Sequence, residues 1–240
     1  MSRAMLYAER WEAAKKAAEE VEKLDYALEA DYADSYMKPI TEGNKEAILQ
    51  YCFDRKLDIT YGFDFYYTPG GDYKLNGQTG GGYGTPTQEM VESSILYNGA
   101  SWKDRTIESF VGGSDGFCVW NKEPEPQGRT TTGYYLRKRV DESHDVINEN
   151  GSVQPVTIIR LGEVLLNKAE ACYRLNDAAG ANAAVKAIRD RVGLPYQDKA
   201  GENLWKAIRQ ERKVELAYEG HYYWDMRRWK LSATAFTGIR

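Results

Sequence analysis

NLWKAIRQERKVELAYEGHYYWDMRRWK, residues 203–230, is the stretch whose reading decides the fold. Glu211, Glu215 and Glu219 recur every four residues, so in a helix three carboxylates lie one above another, where like charges repel. Basic side chains must answer them. Arg212 lies between them in the sequence, and Arg227 and Arg228 follow Gly220, a residue able to turn the chain just past a helix end. A helix over residues 204–219, a glycine turn and a return rich in rings and arginines (Tyr222, Tyr223, Trp224, Arg227, Arg228, Trp229) predict a closed ion-pair corner under aromatic cover. Its expected members are Glu211, Glu215, Glu219, Arg212, Arg227 and Arg228.

Working upstream, Ile158, Leu161, Leu165, Ala169, Cys172 and Leu175 step by three and four, as one face of a buried helix does. Gly162 inside that helix costs about 1 kcal/mol relative to alanine, which reads as a close helix contact. A second helix over residues 178–192 turns Ala181, Ala184, Val185 and Ile188 inward and stops at Gly193 and Pro195. A comparable hairpin opens the chain: residues 1–8 and then 11–21, with Ala14, Ala17, Ala18 and Val21 as its apolar stripe. Both pairs resemble tetratricopeptide units. An apolar face near residues 1–10 is expected to be exposed.

Between residues 23 and 150 the periodicity fades. A strand is expected around Tyr51 and Phe53 and another at Tyr134, Leu136 and Lys138. Thr85 and Pro86 read as N-cap and first residue of a short helix. The run from Tyr61 to Gly84 carries the triplet Gly80, Gly81 and Gly82 with aromatics on both sides. Glycine-rich, ring-rich loops suit sugar recognition, because rings stack on the apolar faces of pyranoses while the backbone approaches hydroxyls. The same tyrosines could instead cover a core. Tyr66, Tyr67, Tyr73, Tyr83, Trp102 and Trp120 are the candidate ligand contacts, chosen because they fall outside the helical stripes. Trp102 is the first choice.

Composition sets outer bounds. The 240 residues, 42% hydrophobic and 28% charged, suit a globular chain. A net charge of −4 with no concentrated basic patch argues against nucleic acid. No apolar run is long enough to span a bilayer. The start, MSRAMLYAERWEAAKK, lacks the apolar core and cleavage site of a signal peptide. Cys52, Cys118 and Cys172 form no CxxC pair, and His144 sits among Asp141, Glu142 and Asp145 as a solvated turn, so no metal site or cofactor is expected. Cys172 reads as a buried small hydrophobe, while Cys52 and Cys118 could be paired or free. No GK[ST] follows the glycines, which argues against nucleotide binding. Glu211 and Glu215 lie at a glycosidase-like separation, but carboxylates locked against arginines make poor acids and bases. No catalytic residue is assigned.

IIRLGEVLLNKAEACYRLNDAAGANAAVKAIRDRVGLP (residues 158–195), LWKAIRQERKVELAYEGHYYWDMRRW (204–229), PTQEMV, SILYNGASWKDRTIESF and TTGYYLRKRVDES resemble the C-terminal part of SusD/RagB nutrient-uptake lipoproteins of the Bacteroidetes outer membrane. The resemblance implies a mainly α, SusD-like α/α arrangement with tetratricopeptide-like hairpins and a loop-rich middle holding a few short strands. It implies a single partial domain over 1–240: a helix hairpin at 1–22, the aromatic loop region at 23–150 and the helical signature at 151–240. It further implies a non-enzymatic, surface-exposed protein that binds oligosaccharide and delivers it to a SusC-like TonB-dependent transporter, held to the membrane only by a lipid anchor absent from this chain. The missing leader and N-terminal pattern suggest a fragment, a truncated homologue or an incomplete gene product. VES at 91–93 runs almost directly into SILYNG, where relatives carry a longer insert. The competing reading is a tetratricopeptide-like interaction scaffold without small-molecule affinity.

Overall fold

The computed structural model describes residues 1–62, 66–67, 74–75, 78–79, 83–90, 93, 118–120, 134–136, 138 and 152–235. In chain order the helices are α1 (Ser2–Tyr7), α2 (Trp11–Glu22), α3 (Asp34–Met37), α4 (Leu161–Arg174), α5 (Ala178–Arg191), α6 (Gly201–Glu215), α7 (Tyr222–Arg228) and α8 (Ser232–Ala235). The strands are β1 (Ala47–Tyr51), β2 (Lys74–Leu75), β3 (Gln78–Thr79), β4 (Cys118–Trp120), β5 (Tyr134–Leu136) and β6 (Val156–Arg160). They form three two-stranded sheets, β1 with β6, β2 with β3 and β4 with β5. The described chain is mainly helical, as its periodicity predicts.

Contacts divide the chain into two compact units: Met1–Ser35, Ile40–Gln50 and Thr157–Thr237 in one, Tyr36–Pro39, Tyr51–Val156 and Gly238–Arg240 in the other. The first unit is built on α4, which packs against α1, α2, α5 and α6. Its apolar stripes meet in two main clusters. One joins Ala169, Cys172, Ala181, Ala184, Val185, Leu204, Trp205 and Ile208. The other joins Ala18, Leu161, Val164, Leu165, Leu166, Ile188 and Leu216. Cys172 is fully buried, and desolvation pushes its thiol up to about 11, consistent with a packing role. Cys52 is exposed and free.

The opening hairpin spends its apolar stripe inside this unit. Leu6 packs on Ala14 and Ala171, with Met5 and Trp11 against them. Of the face expected to be exposed near residues 1–10, Met1, Ala4, Ala8 and part of Tyr7 remain exposed, while Leu6 is buried. Asp177 caps α5 by accepting from the Gly180 N–H at 2.8 Å. Gly193 follows that helix with φ +69°, as a glycine stop requires.

In the second unit β4 and β5 pair antiparallel, Cys118 opposite Leu136 and Trp120 opposite Tyr134. Leu136 and Lys138 are buried, and the Lys138 ammonium lies 5.0 Å from the Tyr36 ring centroid. The short helix after Pro86 starts later than its sequence suggests. Thr87, not Thr85, caps it, with the Thr87 hydroxyl accepting from the Met90 N–H at 3.2 Å. Among the described residues no helix is long and apolar enough to cross a membrane, and no cluster of three His, Cys, Asp or Glu could hold a metal ion. His144 lies outside the described residues.

Candidate ligand-binding surface

β6 delivers Arg160 to the start of α4 with 1% of its surface exposed. Its guanidinium donates to Glu46 Oε1 and Glu215 Oε1, each at 2.6 Å, to the Glu215 carbonyl at 2.8 Å and to both Glu219 oxygens at 2.7 and 3.0 Å. Burial alone would lower the Arg160 pKa, but Glu219, Glu215 and Glu46 hold it well above its ordinary value. Arg191 at the end of α5 pairs with Glu215 and lies 3.6 Å from Glu46. The Tyr32 ring covers both arginines, at 4.8 Å from Arg191 and 5.8 Å from Arg160, while its hydroxyl donates to the Glu215 carbonyl.

This corrects the partners expected from sequence. The acidic rungs are answered by Arg160, Arg189 and Arg191; Arg189 reaches Glu211 at 3.4 Å. They also do not stack as a three-rung ladder. α6 ends at Glu215, and Tyr218 at φ +59° turns the chain before Gly220, so Glu219 reaches Arg160 from a turn. Gly162 owes its place to the same cluster and not to helix–helix approach. A Cβ there would stand 2.4 Å from Arg160 Nη1 and 2.9 Å from carboxylate oxygens of Glu215 and Glu46.

Arg212 and Arg228 serve a second buried network. Arg212 donates to Asp225 at 2.6 Å and to Asn167 at 2.8 Å. Arg228 grips Glu170 through both terminal nitrogens and reaches Asp225 at 3.0 Å, while Trp229 Nε1 donates to Glu170 at 3.0 Å. Arg3 holds Glu163 beside them, and His221 is buried nearby with its pKa lowered chiefly by desolvation. Arg227 is exposed and donates to the Tyr223 hydroxyl at 3.0 Å. Glu211 and Glu215, the pair with glycosidase-like spacing, are each about one-twentieth exposed and face arginines.

The candidate rings are held differently. Tyr66 and Tyr83, in the second unit, are 53% and 60% exposed. The Tyr83 N–H donates to the Tyr66 carbonyl at 2.9 Å, which brings the two ring centroids to 6.2 Å at an interplanar angle of 46°. Tyr67 is half-buried. Gly84, at φ +68°, lets the loop pass it, since a Cβ would stand 2.3 Å from a Tyr67 ring carbon. Trp120 lies on strand β4, not in a loop. Trp102 and Tyr73 lie outside the described residues. Sequence reading missed a further set: Phe53 stacks on Tyr61 at 4.5 Å and 17°, with Tyr51, 62% exposed, tilted against Phe53 at 5.2 Å. The alternation of Tyr51 and Phe53 was its signal, and it reads equally well as a half-buried strand.

Two tilted, exposed tyrosines with polar tips can stack on the C–H faces of a sugar while their hydroxyls meet its edges. Residues 91–240 match the model of the SusD family. No curated protein sequence matches the chain. Among solved structures it is similar to a SusD-like carbohydrate-binding protein from Bacteroides fragilis, with TM-score 0.77 and 22% identity over 96% of this chain and 50% of that one. It is also similar to a laminarin-binding SusD-like protein, with TM-score 0.72 and 22% identity over 97% of this chain and 53% of that one. A third is surface glycan-binding protein A from Bacteroides uniformis, with TM-score 0.71 and 19% identity over 100% of this chain and 49% of that one. The chain thus spans about half the length of these structures.

Proposed function

The chain belongs to the SusD family, and from that premise we propose that it binds glycan at the cell surface through the Tyr66 and Tyr83 rings. The observation that carries the reading is the contrast in exposure: the carboxylates that might do chemistry are paired inside the helical unit, while these two rings stand in solvent on a fixed backbone contact. The carbohydrate-binding, laminarin-binding and surface glycan-binding proteins among its structural relatives support the ligand class. Gly84 leaves room for the Tyr67 ring beside Tyr83 in the chain. Trp102, Trp120 and Tyr73 remain proposed contacts on sequence grounds. Delivery to a SusC-like TonB-dependent transporter at the outer membrane is proposed from the family resemblance, and no catalytic step is assigned. The scaffold reading has less support, since the apolar faces of the helix hairpins are spent on their own unit's clusters.

Isothermal titration of the chain against β-glucan, α-glucan, xylan and host glycan oligosaccharides tests this. The expected result is heat from at least one of them, lost in Tyr66→Ala and Tyr83→Ala. Heat from none, or heat indifferent to both substitutions, would overturn the assignment.

A further inference from the structure

α7 and the residues flanking it divide their side chains by charge. The acidic groups of residues 213–231 all point inward: Glu215 to Arg160 and Arg191, Glu219 to Arg160, Asp225 to Arg212 and Arg228. The groups left outside are basic and aromatic. Arg227 and Lys230 are exposed, and Lys213 lies 5.6 Å from the Tyr222 ring centroid. Tyr223 and Trp224 are 50% and 53% exposed, although burying either would remove substantial apolar area from water. Residues 213–231 therefore present a ring-bearing face whose own exposed charges are positive, on a chain of net charge −4.

That face is organised. Tyr223 and Trp224 meet edge to face at 5.1 Å and 80°. The Arg227 guanidinium lies over both rings, at 5.6 and 6.0 Å from their centroids, and is tied to the Tyr223 hydroxyl. This cation–π and hydrogen-bond tether fixes the rotamer-rich Arg227 side chain against two rings before any partner arrives, which lowers the ordering cost of binding.

We propose that this outward face of α7 docks an acidic segment of a partner protein. Tyr, Trp and Arg are the residue types that dominate protein–protein hot spots, and the outward cations select a partner of opposite charge. A sugar chain fits less well. Perpendicular rings with a guanidinium already over them offer no continuous flat platform for stacking pyranoses. The inference is independent of the glycan site, since its residues and its ligand class are different.

The test is selection of a random dodecapeptide phage library on the immobilised chain, with selected peptides measured by fluorescence anisotropy. The expected outcome is enrichment of peptides that combine Asp or Glu with an apolar anchor. Their affinity should fall about tenfold or more in Trp224→Ala and in Arg227→Glu and weaken with added salt. Because these side chains are exposed, the melting temperature of the variants should match the parent. No enrichment of acidic peptides, or binding indifferent to both substitutions, would overturn the proposal. So would oligogalacturonide binding that depends on Trp224 while acidic peptides fail to bind, which would make the face an acidic-glycan site.

Discussion

Arg160 and Tyr83 mark two opposite treatments of costly side chains. In the helical unit a guanidinium is taken out of water and held there by three carboxylates and a carbonyl. In the loop-rich unit a large ring is left in water, held by one backbone hydrogen bond and a glycine that clears its neighbour. A buried ion pair contributes little net stability over an apolar equivalent, but losing one partner strands charge at high cost. An exposed ring contributes little to stability and is available to a ligand. In this chain a dense set of carboxylates therefore belongs to the scaffold, and the exposed tyrosines are the side chains proposed to meet a ligand.

The largest expected break is Arg160→Ala. Three buried carboxylates would lose their common partner, and stability should fall by about 3–5 kcal/mol in a denaturant titration. A loss within the scatter of ordinary surface substitutions would mean the cluster is not a structural centre. Gly162→Ala should cost about 1–3 kcal/mol, because its Cβ enters the space held by Arg160 Nη1, Glu215 and Glu46. That sign opposes the helix-propensity gain of about 1 kcal/mol, so a stabilised variant would sink the reading. Asp177→Ala should cost about 1 kcal/mol through the lost cap on α5, since its partly exposed ion pair with Lys15 adds little.

Within the helical unit two groups titrate in different pH ranges. His221 has its pKa lowered below the ordinary 6.5, so below 6.5 the unfolded chain binds a proton that the folded chain does not take up. Stability contributed by the neutral imidazole is therefore complete above 6.5 and is lost as pH falls through the folded-state pKa. Asp177, held down to about 2 by Lys15 and the Gly180 amide, loses its contribution only as pH falls toward that value. Denaturant titrations across this range should show the first loss in the parent and not in His221→Gln. The smallest expected effect is on the other side: Tyr66→Ala and Tyr83→Ala should each move stability by no more than about 0.5 kcal/mol.

The sequence made the helices legible because a buried helical face repeats locally, as Leu161, Leu165, Ala169 and Cys172 do. It also marked Glu215, Arg212 and Arg228 as members of ion-pair networks, since so many charges in a periodic, ring-rich stretch cannot all face water. Their partners were not legible. Glu46 lies 114 residues from Arg160 and Glu215 lies 55, and no local spacing carries such a pairing. Gly162 showed itself as an anomaly within a helix, but the reason is a side-chain cluster assembled from three distant segments. Thr87 displaced Thr85 as a cap because either hydroxyl could serve, and propensity alone does not choose between them. For the rings, composition singled out Tyr66, Tyr67 and Tyr83 but gave no sign of the close approach of Gly84 to the Tyr67 ring.

Calorimetric melting of the parent and of the Tyr66→Ala/Tyr83→Ala double variant, with and without the oligosaccharide that binds the parent, tests the central claim most directly. The account predicts matching transitions without ligand, and a ligand-induced rise in Tm that the parent shows and the double variant lacks. A double variant that melts well below the parent, or one that keeps the full ligand-induced rise, would contradict it.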